Sequence, residues 1–342
     1  MSNILATWIC IDDPENASYF PSSKGSSADV SVQLIYWRCV AVFMYTARKF
    51  NPELRLVFFS NITEYPTIDN VNYKLLFEKL NIEFYTTPFG FQTPAGYYGS
   101  WSNQFYEFSI LKFICEHPAF SNEDAFTLLD SDCLITKDLN TLFSTIIKNE
   151  CITYLIDWYS ASYKINGLSR TDMKSIFERL QNFKMDAIPV YHAGEFLGAT
   201  IASIKKLMNI FFPTFQSLLN YYSNNQPRLH EEAHVLSYLY HRCGYEGGQA
   251  NSYIKRLWTD PSSYRNVKSG DENYMIWHLP SEKRFGFEKM FHFLKKSDFD
   301  LNIYTAQQLH KYMQYTFRVP NISYSKYFYY YIKKSLKKLV NK

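Results

Sequence analysis

The chain has 342 residues, 46% hydrophobic and 20% charged, a composition that excludes disorder, collagen and coiled coils. That length can bury a large core, as one α/β domain or a domain with an appendage. The net charge of +4 is uneven: residues 301–342 carry eight bases and no acid, leaving 28 bases against 32 acids before them, a body not built for nucleic acid.

Taken in chain order, Ile4–Ile11 reads as a buried strand that leaves into Asp12-Asp13-Pro14-Glu15. Val30–Phe50 has helical periodicity and stops at Asn51-Pro52; Leu54–Ser60 is a strand, Tyr73–Leu80 a helix and Ile82–Thr87 a strand. A loop with three glycines follows over Pro88–Gly99, then a helix over Gln104–Glu116. Ala125–Leu129 is a buried strand, Leu139–Lys148 a helix and Cys151–Ile156 a strand. Alternating strands and helices predict a parallel, doubly wound sheet over residues 1–160, with ligands beyond the carboxyl ends of its strands. Residues 161–300 are less regular, with helices near Met173–Phe183, Ala202–Tyr222, Glu231–Arg242 and Glu288–Leu294.

The six cysteines form no C-x-x-C pair and read as reduced and buried, which fits a cytoplasmic protein. The N-terminus lacks a basic signal-peptide region, and no apolar run is long enough to span a membrane. Tyr324, Tyr327, Phe328, Tyr331, Ile332, Leu336, Leu339 and Val340 recur at helical spacing, with Lys326, Lys333, Lys334 and Lys337 across from them. Such a basic amphipathic tail, residues 301–342, suits the inner face of an anionic membrane, beside a lipid-linked acceptor; the alternative is a helix packed on the body.

Four segments carry chemistry. Leu128-Leu129-Asp130-Ser131-Asp132 ends a buried strand in two carboxylates, which repel unless a cation or donors sit between them; Mg²⁺ or Mn²⁺ accepts such oxygens together with phosphate oxygens. Tyr191–Thr200 holds Gly194 and Gly198, where the backbone can approach a ligand. His230-Glu231-Glu232-Ala233-His234 opens a helix with acids in its first turn; its H-E-x-x-H spacing also occurs in zinc proteases, but no third ligand is evident. Trp277-His278 precedes Lys283, an imidazole ligand and a phosphate-binding cation.

These four segments in this order resemble the metal-dependent GT-A glycosyltransferases, with Gly194–Gly198 and His230–His234 similar to segments of the blood-group transferases, and His278 with Lys283 similar to the late segment of glycogenin-like enzymes. The resemblance spans roughly residues 4–285 and departs at Glu232, where the family's x-E-D has Asp, and at Glu195, where a second glycine is expected. It implies a GT-A fold, a Rossmann-like doubly wound mixed sheet with a helical C-terminal appendage, divided into a nucleotide half (1–160) and an acceptor half (161–300). It implies Mn²⁺ or Mg²⁺ held by Asp130, Asp132 and His278, and a UDP-linked donor near Thr7, Trp8, Asn103, Lys112, Asp130, Gly194, Glu195, Gly198 and Lys283. Glu232, with Glu231 beside it, is the implied working carboxylate, as base in an inverting reaction or at the anomeric carbon in a retaining one. The expected activity is sugar transfer to a glycan or lipid-linked acceptor in surface polysaccharide assembly. A sugar-phosphate nucleotidyltransferase would want a glycine- and arginine-rich loop where Asp12-Asp13 stand; a non-catalytic carbohydrate-binding or membrane-adaptor protein would use the acids only as caps.

Overall fold

The computed structural model describes residues 1–20, 25–261, 264–322, 328, 331 and 332. Strand β1 (Asn3–Ile9) buries Ile4, Leu5, Ala6 and Thr7 in succession, as a central parallel strand covered on both faces must. Helix α1 (Val30–Phe50) is long and apolar enough to cross a membrane, but its stretch from Cys39 to Ala47 is wholly buried against the sheet. Next come β2 (Arg55–Ser60), α2 (Tyr73–Lys79), β3 (Ile82–Thr86), α3 (Tyr106–Glu116), β4 (Ala125–Leu129), β5 (Cys133–Ile135), α4 (Asn140–Asn149), β6 (Cys151–Ile152) and β7 (Leu155–Ile156). The remainder supplies α5 (Arg170–Gln181), β8 (Tyr191–His192), β9 (Phe196–Thr200), α6 (Ile201–Ser223), α7 (Glu232–Cys243), β10 (Ile254–Arg256), β11 (Ile276–His278), α8 (Gly286–Lys296) and α9 (Ala306–Phe317).

The main sheet runs β6-β9-β4-β1-β2-β3. Strands β1 to β4 are parallel, and β9 is antiparallel to both β4 and β6. The sheet is therefore doubly wound and mixed, as the resemblance implied: the strands from residues 1–160 run parallel, as their alternation with helices suggested, and the reversed strand comes from residues 196–200. Because β9 is reversed, the residues just before it meet the carboxyl end of β4: the Asp130 amide donates to the Glu195 carbonyl at 3.3 Å.

A second sheet pairs β10 in parallel with β11, and β11 antiparallel with β5. Its register sets His278 opposite Cys133 and beside Arg256, and the Leu279 amide donates to the Asp132 carbonyl at 3.0 Å. The single strand expected over Cys151–Ile156 is two. After Ile152 the chain leaves the main sheet, the Thr153 carbonyl accepts from the Ala250 amide, and β7 pairs with β8. The helix expected from Gln104 starts at Tyr106, because Ser102–Phe105 forms a 3₁₀ turn after Trp101 in the left-handed region. Other boundaries shift by one to three residues, where helix ends fray.

All six cysteines are free, and Cys10, Cys39, Cys133 and Cys151 are buried. Helix α9 packs on α8, with Leu309, Met313 and Phe317 buried. The tyrosine- and lysine-bearing helix expected over residues 324–340 lies outside the described residues except for Phe328, Tyr331 and Ile332, which are helical and exposed.

Thr7 lies fully buried within β1, and its hydroxyl donates to the Leu129 carbonyl at 2.8 Å, bracing β4 one residue before Asp130. Thr7→Val strands that carbonyl and is expected to lower stability by about 1–2 kcal/mol, measured as a reduced urea midpoint; an unchanged midpoint would remove the brace.

Candidate functional site

Asp130 and Asp132 leave the carboxyl end of β4, and His278 ends β11. One ligand atom from each can be chosen so that all three lie within 4.8 Å of one another. His278 Nε2 stands 3.3 Å from Asp132 Oδ2 and 3.8 Å from Asp130 Oδ2, buried and with no well-formed hydrogen bond. Two carboxylates and an imidazole with an orphaned nitrogen form a donor set that fits a divalent cation. The carboxylates offer hard oxygen donors and the imidazole a nitrogen donor.

Charge in this pocket is tightly matched. Lys283 Nζ donates to Asp132 Oδ2 and lies 5.6 Å from the centre of the Tyr36 ring. Burial alone would raise the Asp132 pKa, but Lys283 and His278 overcome it and hold the carboxyl below its ordinary range. For Asp130, burial and the Asp132 charge push the pKa up to about 6 against the pull of His278 and Lys283. Burial opposes charge on His278, yet the Asp132 and Glu195 carboxylates lift it to about 9. Glu195 Oε1 accepts from Arg256 Nε at 2.7 Å and from His278 Nδ1 at 3.0 Å, while Oε2 accepts from the second guanidinium nitrogen.

Beside these groups lies a solvent-open cleft. Trp8, Ile9, Ile11, Phe20 and Tyr36 are among its apolar lining residues, Gln33, Asn103 and Gln104 bring amides to it, and Asp130, Asp132 and Lys283 bring charge.

Glu231 and Glu232 stand at the start of α7, with Glu232 against Gly194. A Cβ at Gly194 would meet the Glu232 carboxylate and force it to shift. Burial, with the nearby Glu231, Glu107 and Asp130 charges, holds the Glu232 pKa well above the usual carboxylate range. Its Oε2 is buried without a partner. Both oxygens of Glu231 are engaged, Oε1 by the Tyr191 hydroxyl at 3.0 Å and Oε2 by the Asn166 amide, and burial pushes its pKa up to about 7.

Among the other residues singled out in the sequence, Trp8 and Asn103 line the cleft. Lys112 is exposed on α3 and outside the cleft lining. Gly198 sits mid-strand, where a Cβ would press on Phe196 and Ile146. His230 and His234 do not converge on a metal: their nitrogens face the Asn166 and Ile165 carbonyls at 3.1 Å each, and burial lowers the His234 pKa to about 3. Sequence reasoning missed Arg256, Asn166, Tyr36 and Glu107, a buried acid in the first turn of α3 whose pKa is raised by burial and by Asp130. Each lies in a segment with no motif; only the solitary acid between apolar neighbours in Phe105-Tyr106-Glu107-Phe108 offered a signal.

Glu232 and His278 bind protons more tightly in the folded chain than in the unfolded one, where they titrate near 4.5 and 6.5. Raised pKa values of this kind give stability that is lost as pH climbs toward the folded value. Asp132 and Glu195, lowered, change their contribution only in acid. In chelator the melting temperature is therefore expected to fall from pH 7 to 9, with His278 alone giving about 2 kcal/mol. A flat or rising profile contradicts the assigned charges.

No family model and no curated protein matches the sequence. Among solved structures, the chain is similar to an active-site mutant of LgtC, at 14% identity and a TM-score of 0.48 over 86% of this chain and 95% of that one. The galactosyltransferase LgtC with donor and acceptor sugar analogues gives 13% identity and a TM-score of 0.45 over the same shares. Mouse xyloside xylosyltransferase 1 gives 10% and 0.45, over 81% of this chain and 97% of that one. These likenesses are coarse, and the chemistry of the site rests on its own side chains.

Proposed function

We propose that the chain is a metal-dependent glycosyltransferase that moves a sugar from a nucleotide-sugar donor, UDP-linked, to a glycan or lipid-linked acceptor. The supporting observation is the convergence of Asp130, Asp132 and His278 beside a cleft that also holds Lys283. A nucleoside diphosphate asks for a flat apolar wall, amides for the base and ribose, and positive charge at the phosphates. Trp8, Gln33, Asn103, Tyr36 and Lys283 line the cleft in that capacity.

Held by Asp130, Asp132 and His278, a divalent cation would supply Lewis-acid stabilisation of the departing diphosphate. Lys283, already fixed by Asp132, adds a preorganised positive charge at the same end. Glu232 is the working carboxylate because its Oε2 is uncommitted, whereas Glu231 spends both oxygens on Tyr191 and Asn166 and positions the start of α7. Ionised, Glu232 would take the acceptor hydroxyl's proton or stabilise the anomeric carbon. The lysine-rich tail would place the site at an anionic membrane surface, next to a lipid-linked acceptor in polysaccharide assembly.

A panel of nucleotide sugars with and without Mn²⁺ tests the reading. At saturating donor the melting temperature is expected to rise only with metal, because a ligand that binds the native state alone stabilises it. Asp132→Asn should abolish the shift, and a shift independent of metal would refute the site. Glu232→Gln is expected to keep the donor shift and lose at least 100-fold in transfer, in the range of a general acid–base group; undiminished turnover would exclude Glu232.

A further inference from the structure

Glu195 stands where the resembling family has glycine, and the resemblance would give it to the donor. Its surroundings point elsewhere. The carboxylate is 3% exposed, and both oxygens are taken by the Arg256 guanidinium, a two-point grip that fixes its plane. The same Oε1 faces His278 Nδ1 at 3.0 Å. A carboxylate can only accept, so Nδ1 carries a proton, and in the neutral ring that a cation would select the lone pair falls on Nε2, the nitrogen that faces Asp132 and Asp130. The parts are locked in register: Arg256 and His278 are neighbours across β10 and β11, and the Glu195 carbonyl accepts the Asp130 amide at 3.3 Å. Residue 195 thus touches both halves of the triad, one through its backbone and the other through its side chain.

We propose that Glu195, clamped by Arg256, is a positioning residue that aims His278 Nε2 at the cation site, and that it does not contact the donor. The inference rests on the metal reading of the Asp130, Asp132 and His278 site. A hydrogen-bonded carboxylate behind a ligating histidine fixes the ring and raises its basicity, and loss of such a partner weakens metal binding 10- to 100-fold in general.

The test is Mn²⁺ titration of the full chain at pH 7.5, read by the electron paramagnetic resonance signal of free Mn²⁺, without donor or acceptor. Glu195→Ala is expected to weaken binding about 10- to 100-fold. Glu195→Gln, whose amide oxygen still accepts from Nδ1, should stay within about threefold of the wild type. Arg256→Lys, which keeps the charge and loses the two-point grip, should fall between them and serves where Glu195→Ala does not fold. Wild-type affinity in both Glu195→Ala and Arg256→Lys would overturn this inference while leaving the metal site standing. Equal losses in Glu195→Gln and Glu195→Ala would also overturn it, because the charge and not the aim would then matter. Failure of the wild-type chain to bind Mn²⁺ would overturn the metal reading and this one with it.

Discussion

The pairing of buried acids with buried cations is the constraint that the site depends on. Asp132, Glu195, His278 and Lys283 are each less than 9% exposed. Taking an ion out of water costs several kcal/mol, recovered only with a well-placed counter-charge. Lys283 and His278 flank Asp132, and Arg256 and His278 flank Glu195. Asp130 is the underpaired member: its nearest cation is His278 at 3.8 Å, its side chain is 31% exposed, and it lines the cleft. The cluster is thus short of positive charge on the side that a ligand or a cation would approach.

Much of this could be read from local pattern. The strand ending in Asp130-Ser131-Asp132 announces itself by a run of apolar residues that halts at two acids, and an open α/β sheet puts such a halt at its ligand edge. What could not be read is pairing over long sequence separation. Strand β9 looks like a glycine loop in sequence, and only its insertion between β4 and β6 reveals a reversed strand. The second sheet is built from strands of three residues, too short for any periodicity to show. Arg256 belongs to one of them, which is why the partner of Glu195 had no signature.

The acids of the site divide by environment more than by identity. Asp132 and Glu195 have cations against their oxygens and stay ionised well into acid. Glu107, Glu231 and Glu232 are buried with like charges around them and hold their protons to higher pH. Groups pushed apart in this way can take different roles within one pocket: the ionised set holds charge in place, and the raised set holds protons. Glu232 alone among Glu231 and Glu232 keeps a buried oxygen with no hydrogen-bond partner.

The Gly194–Glu195 step joins the two sets. The two residues form the turn that leads into β9. At 194 the Glu232 carboxylate lies against the position a Cβ would take. At 195 the side chain carries a carboxylate to His278 and Arg256. A second glycine at 195 would leave the buried His278 Nδ1 without its acceptor and the half-buried Arg256 without its anion. Glu195 and Arg256 therefore depend on each other, and either residue without the other leaves a charge unpaired in the interior of the site.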